Sequence, residues 1–168
     1  MGAPKIASSQ YLFLTGDPRI AQENLIQDVQ KGTMDARNLS AAAQSSLQQL
    51  LNSSVSPPPL AALGKLKSVC PTLIVAFPNG SKLAFRAVHD NGSMDWVITV
   101  SREPEIIQYI AFLPSKSGRP PAILPPYTPG GADKLLPSVE MDCLPVSVKP
   151  ASNEEIQQAC QKWPGMCK

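Results

Sequence analysis

Charge is scarce in this chain. Asp, Glu, Lys and Arg make up 17% of its 168 residues, against about 25% in an average globular protein. The net charge is only +2, from 15 basic and 13 acidic residues. That excludes a polyanion binder held by bulk charge, because phosphate backbones require clustered Lys and Arg. No nucleic-acid partner is expected. Histidine occurs once, at His89, which excludes a His-rich metal site. No stretch approaches ~18 consecutive apolar residues, so no membrane span is expected. The cysteines form no Cys-x-x-Cys pair, which removes the spacing of zinc ribbons and thioredoxin-like sites. Neither a metal nor a cofactor is expected.

Hydrophobic residues reach 43%, enough for a core. Proline is abundant, with 18 residues, and ten of them lie between Pro114 and Pro164. Proline lacks an amide donor and clashes inside helices and central strands. Regular structure is therefore expected within residues 17–113, and little of it within 114–150. The chain divides into an N-terminal arm (1–16), a folded domain (17–114) and a Pro-rich, Cys-containing extension (115–168).

The first third reads as helical. Asp17 is a good N-cap, Pro18 fits the first helical position, and Gly32 supplies a stop. Between them Ala21, Leu25, Ile26 and Val29 form one apolar stripe. A second helix is expected from Ser40 to about Leu51, with Ala43, Leu47, Leu50 and Leu51 on its apolar face. A short helical turn fits the run from Pro57 to Gly64. From Leu66 onward β-branched residues and turn signals take over. Four strands are expected, at 66–77, 82–90, 94–101 and 106–113. The breaks are Pro78-Asn79-Gly80, Asp90-Asn91-Gly92 and Arg102-Glu103-Pro104. Such short links make the neighbours antiparallel. Met94, Trp96, Ile98 and Val100 alternate with Ser93, Asp95, Val97 and Thr99, which marks one deeply buried face. Helices followed by a meander argue for an α+β domain with the helices on one face of a curved four-stranded antiparallel sheet.

Three pieces of the sequence carry a resemblance. Leu63-Gly64-Lys65-Leu66-Lys67-Ser68-Val69 resembles the "LG-x-LKSV" opening of the sheet in small NTF2-like (cystatin-like) domains. Such domains are appended to periplasmic beta-lactamase-like serine hydrolases. The stretch Phe85 to Ile98 is similar to that family's "V-x-F-x-NG-x-L-x-W-x-I" hairpin. Lys31-Gly32-Thr33-Met34-Asp35 with Leu39-Ser40 is similar to its "G-x-x-D…LS" link. The resemblance covers about residues 20–114. It implies a cone-shaped domain, with a bent sheet wrapped around helices and a pocket at the open end. The hydrolase domain itself has no counterpart here: no Ser-x-x-Lys is followed by the other penicillin-recognising motifs.

The four cysteines are Cys70, Cys143, Cys160 and Cys167, three of them in the last 26 residues. An arm short of regular structure has little core, and disulfides are a common remedy. Four cysteines allow three pairings. Cys160–Cys167 is the local pair, since the chain can fold back at Pro164-Gly165, and it leaves Cys70–Cys143 to staple the arm to the sheet. Oxidised cysteines imply a periplasmic or secreted protein. The opening Met1-Gly2-Ala3-Pro4 lacks the basic start and apolar core of a signal peptide, so a mature form with an added methionine is the expectation. Ser152-Asn153-Glu154-Glu155 reads as a capping box for a terminal helix running to about Lys162, with Ile156, Ala159, Cys160 and Trp163 on one face. The run Gly118–Gly131 reads as a stiff polyproline-like spacer, or as an arm along a partner's groove.

For function, the leading expectation is a non-enzymatic exported binding or assembly module. It would take a protein partner or a small apolar ligand, with His89, Trp96 and Tyr109 as ligand-binding candidates and no catalytic residue. Another protein is the expected partner, and a homodimer is open. One alternative is a cofactor-free NTF2-like enzyme of isomerase or hydrolase type, which requires His89, Tyr109 and Asp95 to converge. Asp95 reads more simply as a solvated residue near the turn, and His89 as a satisfied structural residue. The other alternative is a stand-alone inhibitor or immunity-type protein.

Overall fold

Asp17 begins the first helix as the sequence predicts. In the computed structural model its Oδ1 accepts from the Arg19 amide at 2.9 Å and its carbonyl from the Ala21 amide at 3.1 Å. The structure describes residues 13–14, 17–31, 38–52, 63–102, 105–115, 146–163 and 166, without the side chains of Pro18 and residues 50–52. Helix α1 spans Pro18–Lys31 and α2 spans Ala41–Asn52. The Ser40 hydroxyl caps α2 by accepting from the Ala43 amide at 3.1 Å. The Gly32 stop, the turn at 57–62 and the Gly118–Gly131 connector lie outside the described residues.

The sheet begins with β1 (Leu66–Phe77), β2 (Gly80–His89), β3 (Gly92–Ser101) and β4 (Ile106–Pro114). Each pairs antiparallel with the next. The sheet is nevertheless not the four-stranded antiparallel one the sequence predicts. A fifth strand, β5 (Ser147–Pro150), pairs parallel with β1 at Leu73–Ala76 and makes the sheet mixed, in the order β4-β3-β2-β1-β5. The stretch 114–150 thus contributes a strand at its end. Pro150 is tolerated there because it closes the strand at the sheet's edge. The sheet is open, with β4 and β5 as its edges.

Two backbone details fix the frame. The residues entering β1 clamp the β2–β3 hairpin: the Asn91 amide donates to the Leu63 carbonyl at 2.8 Å and the Asp90 amide to the Lys65 carbonyl at 3.0 Å. Gly64 permits this approach with φ of +83°, where a side chain would also press on Asp90 and Asn91. Within β1 the register against β2 shifts between Pro71 and Leu73, and the Thr72 hydroxyl donates to the Ala84 carbonyl at 3.1 Å inside that bulge.

The sheet buries both faces. On the inner face, Ala21, Leu25, Ile26 and Val29 of α1 and Ala43 and Leu47 of α2 pack on Phe85, Trp96, Ile98, Ile110 and Phe112. Trp96 is fully buried, with the Phe85 ring 6.0 Å away and nearly parallel and the Phe112 ring at 4.5 Å. On the outer face, helix α3 (Asn153–Lys162) packs its Ala159, with Ile156 and Trp163 beside it, against Val75 and Phe77 of β1 and against Met166. Its capping box forms as the sequence predicts: the Ser152 hydroxyl accepts from the Glu155 amide at 3.1 Å, and Glu155 Oε1 accepts from the Ser152 amide at 2.8 Å. The chain end is tied in as well, since the Asn79 amide donates to the Met166 carbonyl at 3.1 Å. Among the described residues no helix is long and apolar enough to cross a membrane.

Candidate functional site

Between α3 and the outer face of the sheet lies a cleft of about 460 Å³. Strand alternation decides which side chains reach it. In β3 the residues opposite Trp96 and Ile98 are Val97 and Thr99, and both line the cleft. In β4 a register shift opposite Thr99 and Val100 puts Ile107 and Ile110 on the inner face and Tyr109, the partner of Thr99, on the outer one. Phe77 and Lys82 complete the sheet wall, while Glu155, Gln158, Ala159 and Lys162 line the helix side. Trp163, just past α3, closes one end with its ring 5.4 Å from that of Tyr109.

The cleft combines apolar and aromatic side chains with two lysines, Lys82 and Lys162, and one glutamate, Glu155. Burial holds the Lys82 ammonium below the ordinary lysine pKa; Glu155 opposes that, and Lys149 and Lys162 reinforce it. Glu155 titrates below the ordinary glutamate range, chiefly because it accepts from the Ser152 backbone amide. Burial raises the Tyr109 phenol, so it stays protonated at neutral pH. Lys162 Nζ lies 5.8 Å from the centre of the Trp163 ring. Thr99 is 1% exposed, and its hydroxyl has no hydrogen-bond partner among the described residues.

The four residues singled out from sequence fall at four separate places. His89 sits at the end of β2 and is fully buried; its Nδ1 donates to the Gly64 carbonyl at 3.1 Å. The same carbonyl accepts from Gln30 Nε2 at 2.8 Å, so His89 helps tie the start of β1 to α1. Trp96 lies inside the inner core. Tyr109 alone lines the cleft. Asp95 is not solvated, contrary to the sequence expectation. It is 5% exposed and forms a two-point pair with Arg86, Nε to Oδ1 at 2.6 Å and Nη2 to Oδ2 at 3.1 Å. Its Oδ1 also accepts from the Ser115 hydroxyl at 2.7 Å. The cross-strand register that sets Asp95 directly opposite Arg86 produces this pair. His89, Tyr109 and Asp95 therefore do not converge.

Cys70 and Cys160 are both disulfide-bonded, and among the described residues no cysteine is free. Cys143 and Cys167 lie outside the described residues. No group of three His, Cys, Asp or Glu side chains among the described residues is placed to hold a metal ion.

Sequence reading missed Lys82, Thr99, Glu155 and Lys162 as site residues. The available signal was the amphipathic terminal helix, whose apolar face needed a surface. Nothing in the sequence identified the outer face of the sheet as that surface. Compared with known proteins, the chain matches no family model, no curated protein and no solved structure.

Proposed function

We propose that this chain is a non-enzymatic, exported binding module of NTF2-like build that seats a small, largely apolar ligand between its terminal helix and its sheet. The cleft itself carries the reading. Its volume of about 460 Å³ falls in the range of roughly 300–1,000 Å³ typical of small-molecule sites. Its lining combines apolar and aromatic side chains (Phe77, Val97, Tyr109, Ala159, Trp163) with polar ones (Lys82, Thr99, Glu155, Gln158, Lys162) that can orient a ligand. Export is supported by the disulfide bonding of Cys70 and Cys160, since structural disulfides persist in oxidising compartments such as the periplasm or the extracellular space. The NTF2-like build is supported by the residues that resemble that family and by two helices packed on one face of a meander.

Titration of the oxidised full chain with the neutral fluorophore N-phenyl-1-naphthylamine tests the binding reading. A saturable, one-to-one fluorescence rise is expected. Gln158→Trp, which puts an indole on the helix wall, should abolish it, whereas Gln48→Trp on the exposed side of α2 should not. Absence of a saturable signal, or equal signals from both variants, would overturn the reading.

A further inference from the structure

The charges that line the cleft point to a ligand class. Lys82 and Lys162 line the cleft together with Glu155, and Lys149 adds a further positive charge acting on Lys82 and Glu155. Glu155 does not neutralise Lys82 by contact. Its Oε1 accepts from the Ser152 amide at 2.8 Å, so its position is fixed by the capping box of α3. No ion pair of Lys82 is found among the described residues. A half-buried ammonium without a contacting anion is costly, and a bound anion relieves that cost.

Thr99 gives an independent indication. Its hydroxyl is buried on the cleft wall with no partner among the described residues, although buried polar groups are nearly always hydrogen-bonded. A ligand oxygen in the cleft would accept from it. Phe77, Val97, Tyr109 and Trp163 supply apolar and aromatic lining that an inorganic ion would leave bare.

Resting on the binding reading above, we propose that the cleft takes a small organic carboxylate with an apolar or aromatic body. Its carboxylate accepts from Lys82 Nζ and the Thr99 hydroxyl. Its body lies along Phe77, Val97 and the Tyr109–Trp163 pair.

Nuclear magnetic resonance titration of the isotope-labelled full chain, kept oxidised, separates charge from shape. The probes are 4-phenylbutyrate, its neutral amide and 4-phenylbutylamine. The acid should shift the amides of Thr99, Tyr109 and Trp163 and bind about tenfold or more tightly than the amide, the scale of one charge-assisted hydrogen bond. Lys82→Met should remove that preference while keeping a dispersed spectrum and the weaker amide binding. Lys82→Arg should retain most of it. Thr99→Val should weaken acid binding several-fold. Equal binding of acid and amide at the cleft, or preference for the amine, overturns the carboxylate assignment and leaves the binding reading intact. Shifts mapping elsewhere, or none with any probe, overturn both.

Discussion

The ring of Tyr109, in the last strand of the meander, packs on that of Trp163 with centroids 5.4 Å apart and planes tilted by 40°. This pair joins the folded meander to the end of a helix that follows the proline-rich stretch. Both side chains are only partly buried, so their coupling can be measured without collapse of the core. A double-mutant cycle with Tyr109→Leu and Trp163→Leu should give a coupling energy of about 0.5–1.5 kcal/mol in urea unfolding. A value near zero would mean that the rings pack side by side without mutual stabilisation.

Trp96 anchors the inner core between two phenylalanines. Trp96→Ala should cost roughly 3–5 kcal/mol, the range for emptying a buried aromatic site. Trp96→Phe should cost far less. It keeps an aromatic ring between Phe85 and Phe112, and it removes an indole N–H that is buried with no partner among the described residues. Chemical denaturation of the three proteins checks the order. A Phe variant as unstable as the Ala variant would show that the full indole volume, not the stacking, holds the site.

Arg86 and Asp95 form a buried ion pair on the outer face, 4% and 5% exposed. Removing one partner leaves the other charge buried and unpaired. Asp95→Ala should therefore destabilise by about 3–5 kcal/mol. Replacing both, as in Arg86→Met with Asp95→Leu, should recover most of that loss, because two apolar side chains carry no desolvation penalty. Thermal unfolding of the single and double variants separates the cases. A double variant as weak as the single one would show that the pair, with Ser115 on Asp95, fixes the local geometry rather than merely compensating its own burial.

His89 makes stability pH-dependent in a defined direction. Burial lowers its pKa below the ordinary 6.5, against the opposing effects of the Gly64 carbonyl and Asp90. The folded state therefore resists protonation that the unfolded chain accepts. As pH falls below about 6.5, the unfolded state binds more protons and stability declines until the folded His89 titrates. The melting temperature should fall between pH 7.5 and pH 5.5, and His89→Gln should flatten that slope. An unchanged slope in the variant would assign the effect to other groups.

The inner half of the molecule was legible in the sequence because local signals agreed with tertiary packing. Asp17 and Ser40 cap where their side chains can reach amides. The period-two pattern around Trp96 matched a face that helices bury. On the outer face α3 and its capping box were legible, and the rest was not, for three physical reasons. A parallel strand such as β5 has no hairpin signal to mark its partner, and its four residues carry no periodicity long enough to detect. Asp95 looked solvated because its partner Arg86 is nine residues away in sequence and meets it only through the register of β2 against β3. The cleft itself depends on where α3 docks, and amphipathicity indicates that a helix must dock without saying on which face.

The tail offers the remaining test, because Cys70 lies in β1 and Cys160 in α3, the strand and the helix that meet on the outer face. Both are disulfide-bonded, and we propose Cys70–Cys143 and Cys160–Cys167 as the pairs. The first would tie the stretch before β5 to β1, next to the strand it pairs with. The second would hold the chain end near Met166, which packs under Phe77 and Ala159. Peptide mapping of unreduced, alkylated protein should recover these two linked pairs and no alkylated cysteine. Reduction should then lower stability by roughly 2–5 kcal/mol, as loss of native disulfides does in small domains. Hydrogen exchange locates the loss. Protection should fall in β5 and α3 and persist around Trp96, where α1 and α2 cover the inner face without help from the tail. Equal loss of protection on both faces would show that the tail elements and the helix-covered core unfold as one unit, and recovery of four alkylated cysteines would remove both the staples and the inferred export.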